Sequence, residues 1–239
     1  MTPQKIFETG LQYHHYANTA YPLTPNSFKN FRINQQSDVF PFLEKEWSKT
    51  NELSLDVHIP FCKTRCKFCE YVVLEKSDLE IENLYVSLLL KEIAMFSNIL
   101  KNKTIVGYDM GGGTPSKLST ENLLKITNAL TSSFNFDKNT IFSIETTPAI
   151  AANEPHKIAD IFNFGYKRIS MGIQTISEKL LNELGREGTT HIYEKAVDSI
   201  RKAGFSKFNI DLMYGFLYQN DEDFINTLKY AISLITEYI

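Results

Sequence analysis

Cysteine is absent from this chain outside one stretch of eight residues. With only three cysteines in all, a disulfide framework is excluded, since that needs pairs and an oxidising compartment. The first ten residues, MTPQKIFETG, lack the charged start and apolar centre of a secretion signal. No run approaches the ~20 apolar residues of a membrane-spanning helix, so a cytoplasmic protein with no membrane span is expected. Positive charge is not in excess either: 25 Lys and Arg against 28 Asp and Glu give a net charge of −3. That balance offers no basic surface for nucleic acid. Internal repeats and low-complexity tracts are also missing. What remains is 239 residues, 43% hydrophobic and 13% aromatic, enough for one sizeable core.

The three cysteines stand together in HIPFCKTRCKFCEY, as Cys62, Cys66 and Cys69. The spacing is Cys-x3-Cys-x2-Cys, just after a segment that alternates like a strand. Three thiolates this close can take three corners of a cubane iron–sulfur cluster and leave one iron open. An open iron is what the binding and cleavage of S-adenosylmethionine requires. Two other readings compete at this point. A structural zinc would need a fourth ligand; His58 could serve, but it is expected on a strand pointing away from the loop. Three buried structural cysteines are the other, although such residues rarely fall so close together.

Residues 1–50 are polar and aromatic without clear period, with Tyr13, Tyr16, Tyr21, Phe28, Phe31 and Phe40 scattered among them. They read as an N-terminal extension to a core domain over 51–239. From residue 53 strand and helix signals alternate. Strands are expected near 53–59, 104–110, 141–146, 167–173 and 207–213. Helices are expected near 79–98, 120–133, 153–164, 177–185, 190–203 and 221–237. Repeated βα units imply a parallel sheet with right-handed crossovers. Buried parallel strands are usually apolar throughout, and these are not. Ser143 and Glu145 flank Ile144. Arg168, Ser170 and Gly172 alternate with Ile169, Met171 and Ile173, and Asn209 and Asp211 with Ile210 and Leu212. One face should meet helices and the other should line a polar lumen. The expected fold is α/β, a partial parallel (β/α) barrel with chemistry at the C-terminal ends of its strands. Only five strands are visible, so the chain reads as truncated before a sixth. On the last helix Phe224, Leu228, Ile232 and Ile235 form the expected apolar stripe.

HIPFCKTRCKFC, GGGTPS, RISMGIQT, LGRE and NIDLMYG, in that order, resemble the oxygen-independent coproporphyrinogen III oxidase-like branch of the radical SAM superfamily. The resemblance covers about 53–239, with a weaker echo in YANTAYPLTP, Tyr16 to Pro25. It implies a [4Fe–4S] cluster on Cys62, Cys66 and Cys69. It also implies contacts to S-adenosylmethionine from Phe68, Gly112, Gly113, Thr114, Glu145, Gln174, Arg186 and Asp211. An external electron donor would drive reductive cleavage to a 5′-deoxyadenosyl radical, which takes hydrogen from a small-molecule or tetrapyrrole substrate. The chain departs from the dehydrogenase pattern at three places. Asp56 stands where a tyrosine is usual, Tyr71 where a further cysteine is usual, and Phe216-Leu217 where Leu-Pro is usual. The expected function is a coproporphyrinogen dehydrogenase-like radical enzyme. The alternatives are a haem chaperone of the same branch and a radical C-methyltransferase.

Overall fold

A computed structural model describes residues 39–69, 71–75, 77–186 and 189–234. The chain divides into two units, Met1–Lys49 and Thr50–Ile239. In the first, the described structure is one helix, α1 (Val39–Trp47). The other aromatic residues read as an extension, and the YANTAYPLTP motif, lie outside the described residues.

The second unit winds one sheet from strands β1 (Glu52–Ile59), β2 (Thr104–Gly112), β3 (Asn135–Phe136), β4 (Phe142–Thr146), β5 (Tyr166–Gln174) and β6 (Lys207–Leu212). The order is β1-β2-β4-β5-β6, every pairing is parallel, and two-residue β3 hangs on β2. Each main strand pairs with the next main strand in sequence, as expected when short right-handed crossovers wind one way. Among the described residues the sheet forms a partial barrel that does not close. All five expected strands are present. β3 escaped notice because two residues carry no period.

The connecting helices are α2 (Leu79–Leu100), α3 (Thr120–Ser133), α4 (Pro148–Asn153), α5 (Pro155–Asn163), α6 (Glu178–Glu183), α7 (Thr190–Ala203) and α8 (Asp221–Ser233). The single helix expected over 153–164 is two. Pro155 excludes the residue before it from helical geometry, and Glu154 breaks the run at φ −123°, ψ 56°. Side-chain caps from Asp78, Ser119, Thr147 and Thr189 start four of these helices. Asn220 and Asp223 close a reciprocal capping box on α8.

The core lies between the helices and the apolar face of the strands. Ile59, Met110, Ile144, Ile169, Met171 and Ile210 are fully buried against residues such as Val86, Leu123, Ile126, Ile158, Ala196 and Ile200. Tyr108 and Tyr166 meet hydroxyl to hydroxyl at 3.2 Å, and Thr127 joins Tyr166 at 3.2 Å, so these buried polar atoms are satisfied. On α8 the apolar stripe lies differently from expectation. Thr227, Ala231 and Leu234 face inward, Ile232 is exposed, and Ile235 lies outside the described residues.

Candidate functional site

The strand alternation puts polar side chains on the face away from the helices. They line a cavity of about 300 Å3 formed by Asp56 and His58 of β1, Asp109 to Gly112 of β2, Ser143 and Glu145 of β4, Arg168 and Ser170 of β5, Asn209 and Asp211 of β6, and Tyr71. Asp56 and Asp109 are register partners on neighbouring strands. Arg168 Nη1 lies 3.6 Å from the Asp109 carboxylate and donates to Ser143 Oγ at 3.3 Å. Asn209 Nδ2 donates to Asp211 Oδ1 at 2.5 Å. Burial pushes the Asp56 carboxyl up, and the charge of Asp109 adds to this. Glu145 is pushed up to about 7 by burial and by Asp211, against a hydrogen bond from the Gly112 N–H. Its carboxylate opens into the lumen, so its surroundings are protein walls with solvent at the mouth.

The cysteine loop follows β1 directly. Its thiols are half-buried and close enough for the charge of each to bear on the others. Burial raises the Cys62 and Cys66 thiols. Arg186 lowers both, and Thr114 and Lys117 also lower Cys62. Thr114 Oγ1 lies 3.5 Å from Cys62 Sγ. His58 is not the fourth ligand that a zinc reading needs. Its Nε2 sits 2.9 Å from Val72 O, and its Nδ1 edge packs on Gly112. Among the described residues, no three His, Cys, Asp or Glu side chains converge on a single metal ion.

The glycine run is held by this loop. Gly113 N–H donates to Ile59 O and Thr114 N–H to Phe61 O, both at 2.8 Å. A Cβ on Gly113 would stand 2.8 Å from Ile59 O, and one on Gly112, at φ +104°, would stand 2.4 Å from His58 Nδ1. The sequence argument assigned these glycines to close approach by a ligand. The chain itself fills the space beside both. Gly111, not singled out earlier, backs the Glu145 carboxylate at 3.2 Å.

Gln174 ends β5 at φ +70°, is 8% exposed, and its Oε1 has no partner among the described residues. Arg186 Nη2 donates to Gly172 O at 2.9 Å, and the Gln174 amide covers the same glycine. Phe68 is half-buried in the cysteine loop. The expected residues thus fall into two groups. Glu145, Asp211 and Gly112 line the lumen. Thr114 and Arg186 adjoin the thiols, Gly113 is tied to the end of β1 through Ile59, and Gln174 lies with Arg186 over Gly172. Asp109 went unread in the sequence, although Tyr108 and Met110 on either side of it already give the alternation that turns it to the polar face.

The sequence profile of the Radical SAM superfamily matches residues 57–231. The chain is 30% identical over 218 residues to an oxygen-independent coproporphyrinogen III oxidase of Helicobacter pylori, covering 90% of this chain and 47% of the relative. It is 30% identical over 196 residues to the heme chaperone HemW of Haemophilus influenzae, covering 80% of this chain and 50% of that one. The solved coproporphyrinogen III oxidase of Escherichia coli, described as a radical SAM enzyme, superposes with a TM-score of 0.75 at 28% identity, over 82% of this chain and 45% of that one. The chain spans about half the length of the curated relatives it matches.

Proposed function

The chain belongs to the radical SAM superfamily, and from that premise we propose that it holds a [4Fe–4S] cluster on Cys62, Cys66 and Cys69 and cleaves S-adenosylmethionine to act on a tetrapyrrole. One observation carries the reading: three half-buried thiols share the loop that follows β1, with Arg186 acting on Cys62 and Cys66 and Lys117 on Cys62. The donor set fits the group. Three thiols leave a cubane one open corner, and Arg186 and Lys117 oppose the burial that raises the Cys62 and Cys66 thiols. The unpartnered Gln174 Oε1 fits a donor supplied by the nucleotide. The bound pair supplies reductive cleavage of S-adenosylmethionine to methionine and a carbon-centred oxidant.

The chain's own residues then have separable tasks. Arg186, fixed by its bond to Gly172 O, presents its planar fork to the carboxylate of S-adenosylmethionine. Glu145 and Asp211 accept from its amino and hydroxyl groups. Gly112, Gly113 and Thr114 hold the backbone edge, and Phe68 offers a ring to the adenine. Near neutral pH Glu145 is poised between its two forms, so it can donate or accept in the lumen.

The test is anaerobic reconstitution followed by iron and sulfide analysis and assay for 5′-deoxyadenosine with dithionite. About four irons per chain are expected, with loss of iron in Cys66→Ala. Stoichiometric zinc and no charge-transfer absorption would overturn the reading. A second reading, a haem chaperone, is favoured by Tyr71 standing where the dehydrogenase pattern has cysteine. Haem binding without substrate turnover would select it.

A further inference from the structure

The loop that leaves β6 is apolar and aromatic, yet its side chains do not fold inward. Tyr214, Leu217 and Tyr218 are 81%, 74% and 70% exposed. The backbone beneath them is fixed. Gly215 and Phe216 N–H both donate to Gln219 Oε1, at 2.7 and 3.4 Å, and Gln219 N–H donates to Phe216 O at 3.0 Å. Tyr218 stands at φ +68°, and among the described residues Gln174 is the one other non-glycine with a positive φ. A bulky side chain in the left-handed region is strained, and such a conformation is kept where its surroundings impose it. The root of the loop is tied to the site. Met213 N–H donates to Gln174 O at 2.9 Å, and Asn209 and Asp211 of the same strand line the lumen. Lys179, in the first turn of α6, holds its ammonium 5.5 Å from the centre of the Tyr218 ring, as a cation over an aromatic face.

We propose that Tyr214, Leu217 and Tyr218 seat the ring face of a carboxylate-bearing tetrapyrrole, with Lys179 receiving a carboxylate at its edge. The inference rests on the reading that the chain acts on a tetrapyrrole, and it adds where the ring is held. Size and charge both argue for this place. The lumen cavity, about 300 Å3, is at the small end for a drug-sized ligand, and S-adenosylmethionine is its first claimant. Asp56, Asp109, Glu145 and Asp211 share it with one guanidinium, Arg168. A macrocycle with several carboxylate arms is too large for that space and carries the wrong charge for it. Its ring therefore lies outside, on a surface continuous with the lumen. The β6 loop offers such a surface: aromatic faces that stack on a flat ring, and a cation that turns the carboxylate edge away from the acidic interior. Apolar side chains held outward on a fixed loop mark a place where something binds.

The experiment uses the full chain, before and after anaerobic reconstitution, with coproporphyrin III as a fluorescent tetracarboxylate probe. A tetra(N-methylpyridyl)porphyrin, which has a cationic edge, is the comparison. Binding is read by fluorescence anisotropy at low and high salt. Leu217→Ser with Tyr218→Asn should bind coproporphyrin about tenfold or more weakly. Its thermal midpoint should not fall, because Asn accepts a positive φ more readily than Tyr. Lys179→Glu should bind about fivefold or more weakly at low salt, with the difference shrinking at high salt. The wild type should prefer coproporphyrin to the cationic porphyrin, and Lys179→Glu should narrow that preference. Equal coproporphyrin binding by the wild type and the double variant overturns the proposal, as does no binding by the wild type or its preference for the cationic porphyrin. If the double variant's midpoint falls, Lys179→Glu decides alone, and unchanged binding with unchanged salt dependence overturns the proposal. The proposed function is judged separately, by iron content and formation of 5′-deoxyadenosine. A chain that seats the porphyrin on these residues but forms no 5′-deoxyadenosine sinks that reading alone.

Discussion

Glu145 shows how a single side chain ties the lumen together. Its carboxyl is raised to about 7 by burial, then by Asp211, with smaller contributions from Asp56 and Asp109. A carboxyl whose folded value lies above its ordinary value of 4.5 favours the protonated fold. Its destabilising effect is absent below about pH 4.5, grows as pH rises, and is complete above about 7. Glu145→Gln should therefore stabilise the cluster-free chain at pH 8 and leave it unchanged at pH 4. Because the side chain opens to the lumen, screening holds the gain to about 1 kcal/mol. Thermal unfolding at the two pH values checks this, and an equal shift at both would place the effect in packing rather than charge. At this scale the sequence was readable for residues set in order along motifs, such as the cysteines and Glu145. For Asp109 the alternation of Tyr108 and Met110 gives the polar face, but not its register partner Asp56, more than fifty positions away in the chain.

At the scale of elements, alternation carried most of the information. Polar and apolar positions on β4, β5 and β6 fall largely on the two faces as their order in the sequence implies, because side chains in a strand alternate, with irregular register at Phe142/Ser143 and Gly172/Gln174. Helix boundaries were less legible. Pro155 was present in the sequence, yet a period-3.6 apolar pattern runs across it, and only the backbone geometry at Glu154 separates α4 from α5. The glycine run was legible as a tight segment but not in its cause, since the atoms that crowd Gly113 belong to Ile59, Pro60 and Phe61. Those are backbone atoms that cannot swing aside. Gly113→Ala should cost about 1–3 kcal/mol of stability, whereas Gly111→Ala, which meets only the end of the Glu145 side chain, should cost less. Urea unfolding of the two variants measures the difference. The opposite ranking would mean that the link between β2 and the cysteine loop yields more easily than its hydrogen bonds imply. Thr147, whose hydroxyl caps α4 by accepting from Ile150 N–H, gives a smaller test of the same kind. Thr147→Ala should lose about 1 kcal/mol.

For the molecule as a whole, the decisive property is that the sheet is open. β2, β4 and β5 have a partner on both sides, while β1 and β6 each have one among the described residues. The core is distributed accordingly. Ile144, Ile169 and Met171, on β4 and β5, are at most 1% exposed, whereas on β6 Phe208 and Ile210 are buried but Leu212 is only half-buried. Stability should therefore fall from the centre of the sheet toward its margins. Exchange of an amide proton needs only the smallest opening that frees it, so protection ought to follow the same gradient. Amides of β4 and β5 should exchange only through global unfolding. Those amides of β6 that do not face β5 have no ladder partner and should exchange about a hundredfold faster or more. Native-state hydrogen exchange on the cluster-free chain reads this directly. Uniform protection across β4, β5 and β6 would mean that something pairs with or covers the β6 edge. The edge and the lumen share Asn209 and Asp211, so any partner that paired with β6 would also set how far the polar face stays open to substrate.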